Sequence, residues 1–243
     1  MIHLHRLLTA SLLLVCAPLC AAALPATPEA AAERMVALNN EAALRSAEGK
    51  ALLAGELKAF GSAGSGSLPA PDTVFRTGPL SAVARVPATA GANPDLYLFL
   101  DRSRAGWRVT AIRSLALTGV LEELIRMDDA APSDDPEERD AIRNAKLTLS
   151  SDRELLAWAE QHRALLAQAR AEPRSAELER ALKAAGASRV REEDGLLIVS
   201  VGGIIDNEVG FLLPTSGRVP AISPSTYIWI EPAADGWYLF KTT

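Results

Sequence analysis

The hydrophobic pattern changes period several times along the chain, and each change marks an element. Thr27-Pro28-Glu29 sets a capping hydroxyl ahead of a proline, an arrangement that opens helices, and Met35, Leu38, Ala42 and Ala43 then recur at helical steps. A second helical stretch presents Leu52, Leu53, Leu57 and Phe60 and stops in the Gly- and Ser-rich run 61–67. Alternation follows. Segments 82–86, 96–100 (Leu-Tyr-Leu-Phe-Leu) and 107–117 read as strands, the last two joined by a hairpin loop over 102–106. Thr118 is placed to cap a short helix carrying Val120, Leu121, Leu124 and Ile125.

The second half repeats the order of helices first and strands second. Residues 146–149 read as a short strand. Ser151-Asp152-Arg153-Glu154 is a full capping box. The helix after it presents Leu155, Trp158, Ala159, His162, Leu165, Leu166 and Ala169 along one stripe, and Pro173 ends it. Another helix over 178–185 stops at Gly186. Strands are predicted at 196–201, 208–213, 227–231 and 237–241, with 232–236 as a hairpin connection between the last two. In the final strand Trp237, Leu239 and Lys241 share one face and Tyr238 and Phe240 the other, which predicts a central, two-sided strand.

Between the halves, residues 128–140 are acidic and contain Pro132 and Pro136, so they read as a solvated linker. Its end starts a helix, with Asp135 as cap, Pro136 in the first turn and Glu138 completing a capping box. The expected fold is α+β. Two small domains, 24–127 and 141–243, each pack helices on a mostly antiparallel sheet across the linker at 128–140.

Residues 1–23 fit an export signal. Arg6 with His3 and His5 forms the positive start, 7–19 is apolar apart from Thr9 and Ser11, and Ala21-Ala22-Ala23 offers the small residues a signal peptidase needs. Cleavage is expected after Ala23. The apolar run, about 13 residues, is too short for a bilayer, which takes about 20. Val15 and Leu19 precede Cys16 and Cys20 where lipid attachment wants a small residue, which argues against a lipoprotein. No later segment approaches a membrane span, so the mature chain is expected in the periplasm or secreted. The net charge of −5 and the lack of a basic run argue against a nucleic-acid partner.

Removing 1–23 leaves one histidine, His162, and no cysteine. That excludes a disulfide scaffold, a thiol nucleophile and a Cys/His zinc site. His162 sits on the core-facing stripe and is expected to be buried and hydrogen-bonded. Gly64-Ser65-Gly66 has no strand before it, so it is no nucleophile elbow. Gly202-Gly203 lacks the third glycine and the helix of a dinucleotide site. The acidic linker has neither the alternating ligands nor the central glycine of a calcium loop. No cofactor, metal site or catalytic residue is therefore predicted.

The candidate site is Asp206, Asn207 and Glu208, two carboxylates and an amide between apolar runs. If extended, Asp206 and Glu208 share a face and can act as an acid/base pair or hold a cation. By propensity, Asp206-Asn207 forms a turn between strands. The expected function is an exported, non-catalytic cell-envelope protein that binds an unidentified protein partner or small ligand. The alternative is a carboxylate-dependent hydrolase using Asp206 and Glu208.

Asp206-Asn207-x-Val209-Gly210-Phe211, Ser223-Pro224-Ser225-x-Tyr227-Ile228 and the closing Gly236-Trp237-Tyr238-x-Phe240-Lys241-Thr242-Thr243 resemble an uncharacterised family of exported bacterial proteins. The resemblance covers about forty residues, with a looser echo at Gly106-Trp107-Arg108-Val109-Thr110-Ala111, and it implies no activity. The order of the first half, helices and then strands with a Gly-Trp hairpin, is also similar to the NTF2-like cone. That similarity is of fold alone.

Overall fold

The computed structural model describes residues 23–38, 40–55, 57, 68–88, 95–205 and 207–242. Residues 1–22, where the export signal is expected, the 61–67 run and Asp206 lie outside the described residues. The first helix, α1 (Pro28–Ala37), begins where the sequence places it, with the Thr27 hydroxyl accepting from the Ala30 amide. Two short helices follow, α2 (Glu41–Arg45) and α3 (Ala47–Leu52), separated at Ser46, whose side chain caps α3.

Strands β1 (Thr73–Arg76), β2 (Ser81–Val86), β3 (Leu96–Ser103) and β4 (Gly106–Arg113) then form an antiparallel sheet in sequence order. Alternation along these strands feeds two cores. Ala82, Ala84, Val86, Leu98, Leu100 and Val109 face α1–α3, while Val83, Tyr97, Phe99 and Ala111 face the other way. That second face is covered by the other half of the chain.

Helix α4 (Thr118–Ala130) leads to α5 (Pro136–Leu149), α6 (Asp152–Gln161), α7 (Arg163–Ala171) and α8 (Ala176–Ala184). The second antiparallel sheet contains β5 (Arg189–Glu193), β6 (Leu196–Ile204), β7 (Asn207–Pro214), β8 (Tyr227–Pro232) and β9 (Tyr238–Thr242), ordered β5-β6-β7-β9-β8. The last strand thus lies between β7 and β8, as its two apolar faces require. Trp237 and Leu239 join the core beneath α6–α8, and Phe240 joins Leu196, Ile198, Leu212 and Ile230 on the opposite side. From β8, Ile228 and Trp229 pack into the second face of the first sheet. The Trp229 ring stacks between Phe75 and Tyr97 at 5.1 and 5.0 Å.

The architecture is therefore α+β, with helices on two antiparallel sheets, and it differs from the sequence expectation in several local details. The segment 146–149 is the last turn of α5 and not a strand. Ile142, Ala145 and Thr148 recur at three-residue steps and are buried, which is a helical face. Strands β1 and β5 escaped the pattern because one is four residues long and the other, Arg-Val-Arg-Glu-Glu, has a single apolar residue. Helix α4 is preceded by Leu117 in the left-handed region (φ 61°) with no side-chain cap, so Thr118 does not cap it. The helix also runs to Ala130, leaving only 131–135 of the acidic stretch outside α4 and α5. Lys146 pairs with Asp128 and Asp129 across the two helices, offsetting part of the acid repulsion. Asp135 caps α5 through the Glu137 amide.

The long helix predicted through His162 is broken there into α6 and α7. The break turns His162 partly outward. It is half-buried, stacked on Trp158 at 4.3 Å, with Nδ1 2.8 Å from the Trp158 carbonyl. Among the described residues no helix is long and apolar enough to cross a membrane.

Candidate functional site

The β6–β7 hairpin carries the residues singled out in the sequence. Ile204 pairs with Asn207, so the chain reverses between them, and Ile205 takes a left-handed conformation (φ 53°). Asp206 lies outside the described residues. Asn207 is buried, and its side-chain amide is engaged on both sides by the backbone of one residue. Oδ1 accepts from the Ala116 amide at 3.3 Å and Nδ2 donates to the Ala116 carbonyl at 3.1 Å. This residue ties the second sheet to the chain just ahead of α4.

Glu208 points to the opposite side of the protein from α6–α8. Arg191 grips it with both terminal nitrogens, one at 2.7 Å from Oε2, and the Ser200 hydroxyl and Arg189 also reach it. The three neighbours converge because Ser200 lies on β6 between β5 and β7, and Arg189 and Arg191 alternate onto the same face. Burial alone would push the Glu208 carboxyl up. The Arg191 fork and the Ser200 hydroxyl outweigh it and hold the group below the usual carboxylate range. A carboxylate held this way is a fixed negative charge and a poor proton donor near neutral pH.

Glu208 lies between two open clefts. The larger, about 600 Å³, is floored by Leu196 and Ile198 and walled by Arg191, Arg218 and Tyr227. Arg218 is exposed and makes no ion pair with any described residue. The second cleft, about 510 Å³, runs past Asn144, Arg189, Gly202 and Ile205. At its base Gly202 has no room for a side chain, since a Cβ there would collide with Thr148, whose hydroxyl accepts from the Gly203 amide at 2.8 Å.

A second charged cluster, which sequence reasoning missed, lies between the two sheets. At its centre is Asp152, the first residue of α6 and 1 % exposed. Its carboxylate takes Lys241 Nζ at 2.8 Å, Arg85 Nη1 at 3.0 Å and the Tyr97 hydroxyl at 2.9 Å. Its backbone amide donates to Asp95 Oδ2 at 2.7 Å. Arg85 also holds Glu231 at 2.8 Å and clasps Asp72 near the surface, while Trp229 Nε1 donates to Glu231 at 3.0 Å. Residues of β2, β3, α6, β8 and β9 thus meet in one network.

Burial sets the electrostatics of this cluster. Desolvation, aided by the neighbouring Asp152 charge, raises the Asp95 carboxyl, and desolvation also raises Glu231. It pushes the Tyr97 hydroxyl well above its usual range, with Asp152 adding to the effect. Desolvation pulls Arg85 down, but Asp72, Glu231 and Asp152 together leave it raised. With Asp152 and Lys241 shielded from solvent, the cluster clamps the two halves together and offers no access to a substrate.

The signals for these residues were present but local. Lys241 alternates with Trp237 and Leu239, and a cation on a core-facing row needs a buried partner. Arg85 likewise sits inside the alternating 82–86 run. Nothing local, however, couples either one to Asp152. The residues of the family resemblance have structural positions. Asn207 binds Ala116, Gly210 is backed against Val199 and the Phe240 ring, Trp237 is buried, and Lys241 reaches Asp152. No family model, curated protein or solved structure matches the chain.

Proposed function

We propose that the protein is an exported, non-catalytic cell-envelope protein that binds a small polar ligand in the cleft beside Glu208. One observation carries this reading. The cleft has Arg191, paired with Glu208 and Glu193, on one wall, an Arg218 guanidinium that no described residue pairs with on another, Asp194 beside them, and an apolar floor between. These groups orient and hold a ligand. The hydrolase alternative asks Glu208, with Asp206, to exchange a proton, and the grip of Arg191 works against that.

Export after cleavage at Ala23 is supported at the chain start. Ala23 is exposed, whereas Pro25 is buried and its carbonyl accepts from the Trp107 amide at 2.9 Å. The same reading places the chain with the exported family that its C-terminal pattern resembles. The N-terminal half reads as NTF2-like, on the support of three helices preceding the β1–β4 meander.

Calorimetric titration of the mature protein with short mono- and dicarboxylates tests the cleft. Binding is expected, weakened by Arg218→Ala with no change in melting temperature. Hydrolysis of chromogenic esters, phosphates or glycosides that vanishes in Glu208→Gln would overturn the reading in favour of the enzyme. N-terminal sequencing of the native protein checks export, with Leu24 the expected first residue.

A further inference from the structure

Of the six large apolar side chains exposed among the described residues, Leu80 stands alone in the β1–β2 turn, and the other five lie on one helix, at its head and on the turn beside it. On α4, Val120, Leu124 and Met127 stand at i, i+4 and i+7 and form a single stripe, with Val120 and Met127 each 58 % exposed. Leu121, on the adjacent face, is buried and seats the helix, so the stripe is left over once packing is complete. The Asn207–Ala116 hydrogen bonds bring the turn bearing Ile205, 81 % exposed, to the head of α4, where Leu117 is exposed as well. A patch of this kind marks an interaction surface.

Charge selects what can cover it. Between 118 and 138 the chain carries eight acids and one base, Arg126, for a local balance of −7 against −5 for the whole chain. Lys146 offsets part of this at Asp128 and Asp129, while Glu122 and Glu123 remain exposed on α4 itself. A second copy would set the same acids against each other, and an anionic lipid surface would be repelled in the same way. A helix with an apolar seam flanked by Lys and Arg matches both the spacing of the stripe and the sign of its surroundings. We propose that α4 is a docking surface for a basic amphipathic helix of another protein. The stripe of Val120, Leu124 and Met127 lines neither cleft beside Glu208, and Ile205 borders only the second one, so the proposal stands or falls apart from ligand binding in the larger cleft.

Fluorescence anisotropy with three labelled peptides of about 18 residues tests it. One arranges Leu and Lys in amphipathic helical order, one scrambles that composition, and one replaces Lys with Glu. The first is expected to bind at least about tenfold tighter than the others, and more weakly as salt is raised. A Val120→Ser, Leu124→Ser, Met127→Ser variant should lose about tenfold or more of that affinity. Its melting temperature should be unchanged, because the three side chains are exposed. Absence of binding by the first peptide, equal binding by the scrambled peptide, or full affinity in the triple variant would overturn the proposal. A concentration-dependent dimer abolished by the triple variant would overturn it in favour of a second copy, and uptake onto phosphatidylglycerol vesicles in favour of a lipid surface.

Discussion

Arg191 grips Glu208 at the lip of an open cleft, and Arg85 and Lys241 grip Asp152 between the two sheets. Each is a carboxylate held by cations and a hydroxyl, yet the carboxyls around the two sets of cations shift in opposite directions. Glu208 has partners on three sides and water on the fourth, so pairing outweighs desolvation and its proton affinity falls. In the interior, Asp95, Asp152 and Glu231 share two cations, and desolvation dominates, so Asp95 and Glu231 rise. An ion pair at the cleft presents a held charge to solvent. Between the sheets, the same chemistry fixes which two surfaces can meet, because any other arrangement would strand a charge in the core.

The contrast is broken most severely by Lys241→Met. The substitution keeps the bulk of the side chain but leaves Asp152 and Asp95 short of a cation, and urea unfolding should show a loss of about 3–5 kcal/mol. Tyr97→Phe removes one hydrogen bond to the Asp152 carboxylate and leaves the stack on Trp229 in place. A loss of about 1.5–3 kcal/mol is expected by the same measurement. Arg191→Met should cost less than about 1 kcal/mol, since the cleft pair is partly hydrated. If Arg191→Met proved as damaging as Lys241→Met, the distinction between the two clusters would fail.

The smallest effect separates the clusters by sign. Glu208 has a folded-state pKa below its unfolded one, so its contribution is present above the ordinary carboxylate range and lost as pH falls through the lowered value. Asp95 and Glu231 are raised, so their contribution is present below the ordinary range and lost as pH rises through the raised values. Unfolding measured across the acid range should therefore show the gap between wild type and Glu208→Gln narrowing as pH drops. Glu231→Gln should gain on wild type as pH rises. Parallel curves for both variants would remove the electrostatic difference.

Much of the secondary structure was legible in the chain itself. The Ser151–Glu154 capping box forms as written, Thr27 and Asp135 cap their helices, and the hydrophobic runs at 96–100 and 196–201 lie within strands. Errors arose where local pattern is ambiguous or short. The segment 146–149 suits either period over four residues, and β5 is written almost entirely in charges. The candidate site was half legible. A reversal beside Asp206 was legible, but Asn207, read as part of the turn, pairs with Ile204 as the first residue of β7, and the cleft beside Glu208 was not foreseen. The Arg191 and Ser200 that hold Glu208 come from neighbouring strands, and no spacing rule links them to it.

The sequence by itself determined most of the helices and the longer strands, most of their apolar faces, and that His162 is the one imidazole beyond the first 23 residues. Those properties depend on residues a few positions apart, where backbone geometry converts spacing directly into neighbourhood. Only the tertiary structure decided that Lys241, Asp152 and Arg85 meet, that Asn207 is spent on Ala116, and that the stripe on α4 stays uncovered. Each of these joins or leaves apart residues tens to more than a hundred positions distant. Their pairing is fixed by burial and charge together, and burial exists only once the sheets have packed.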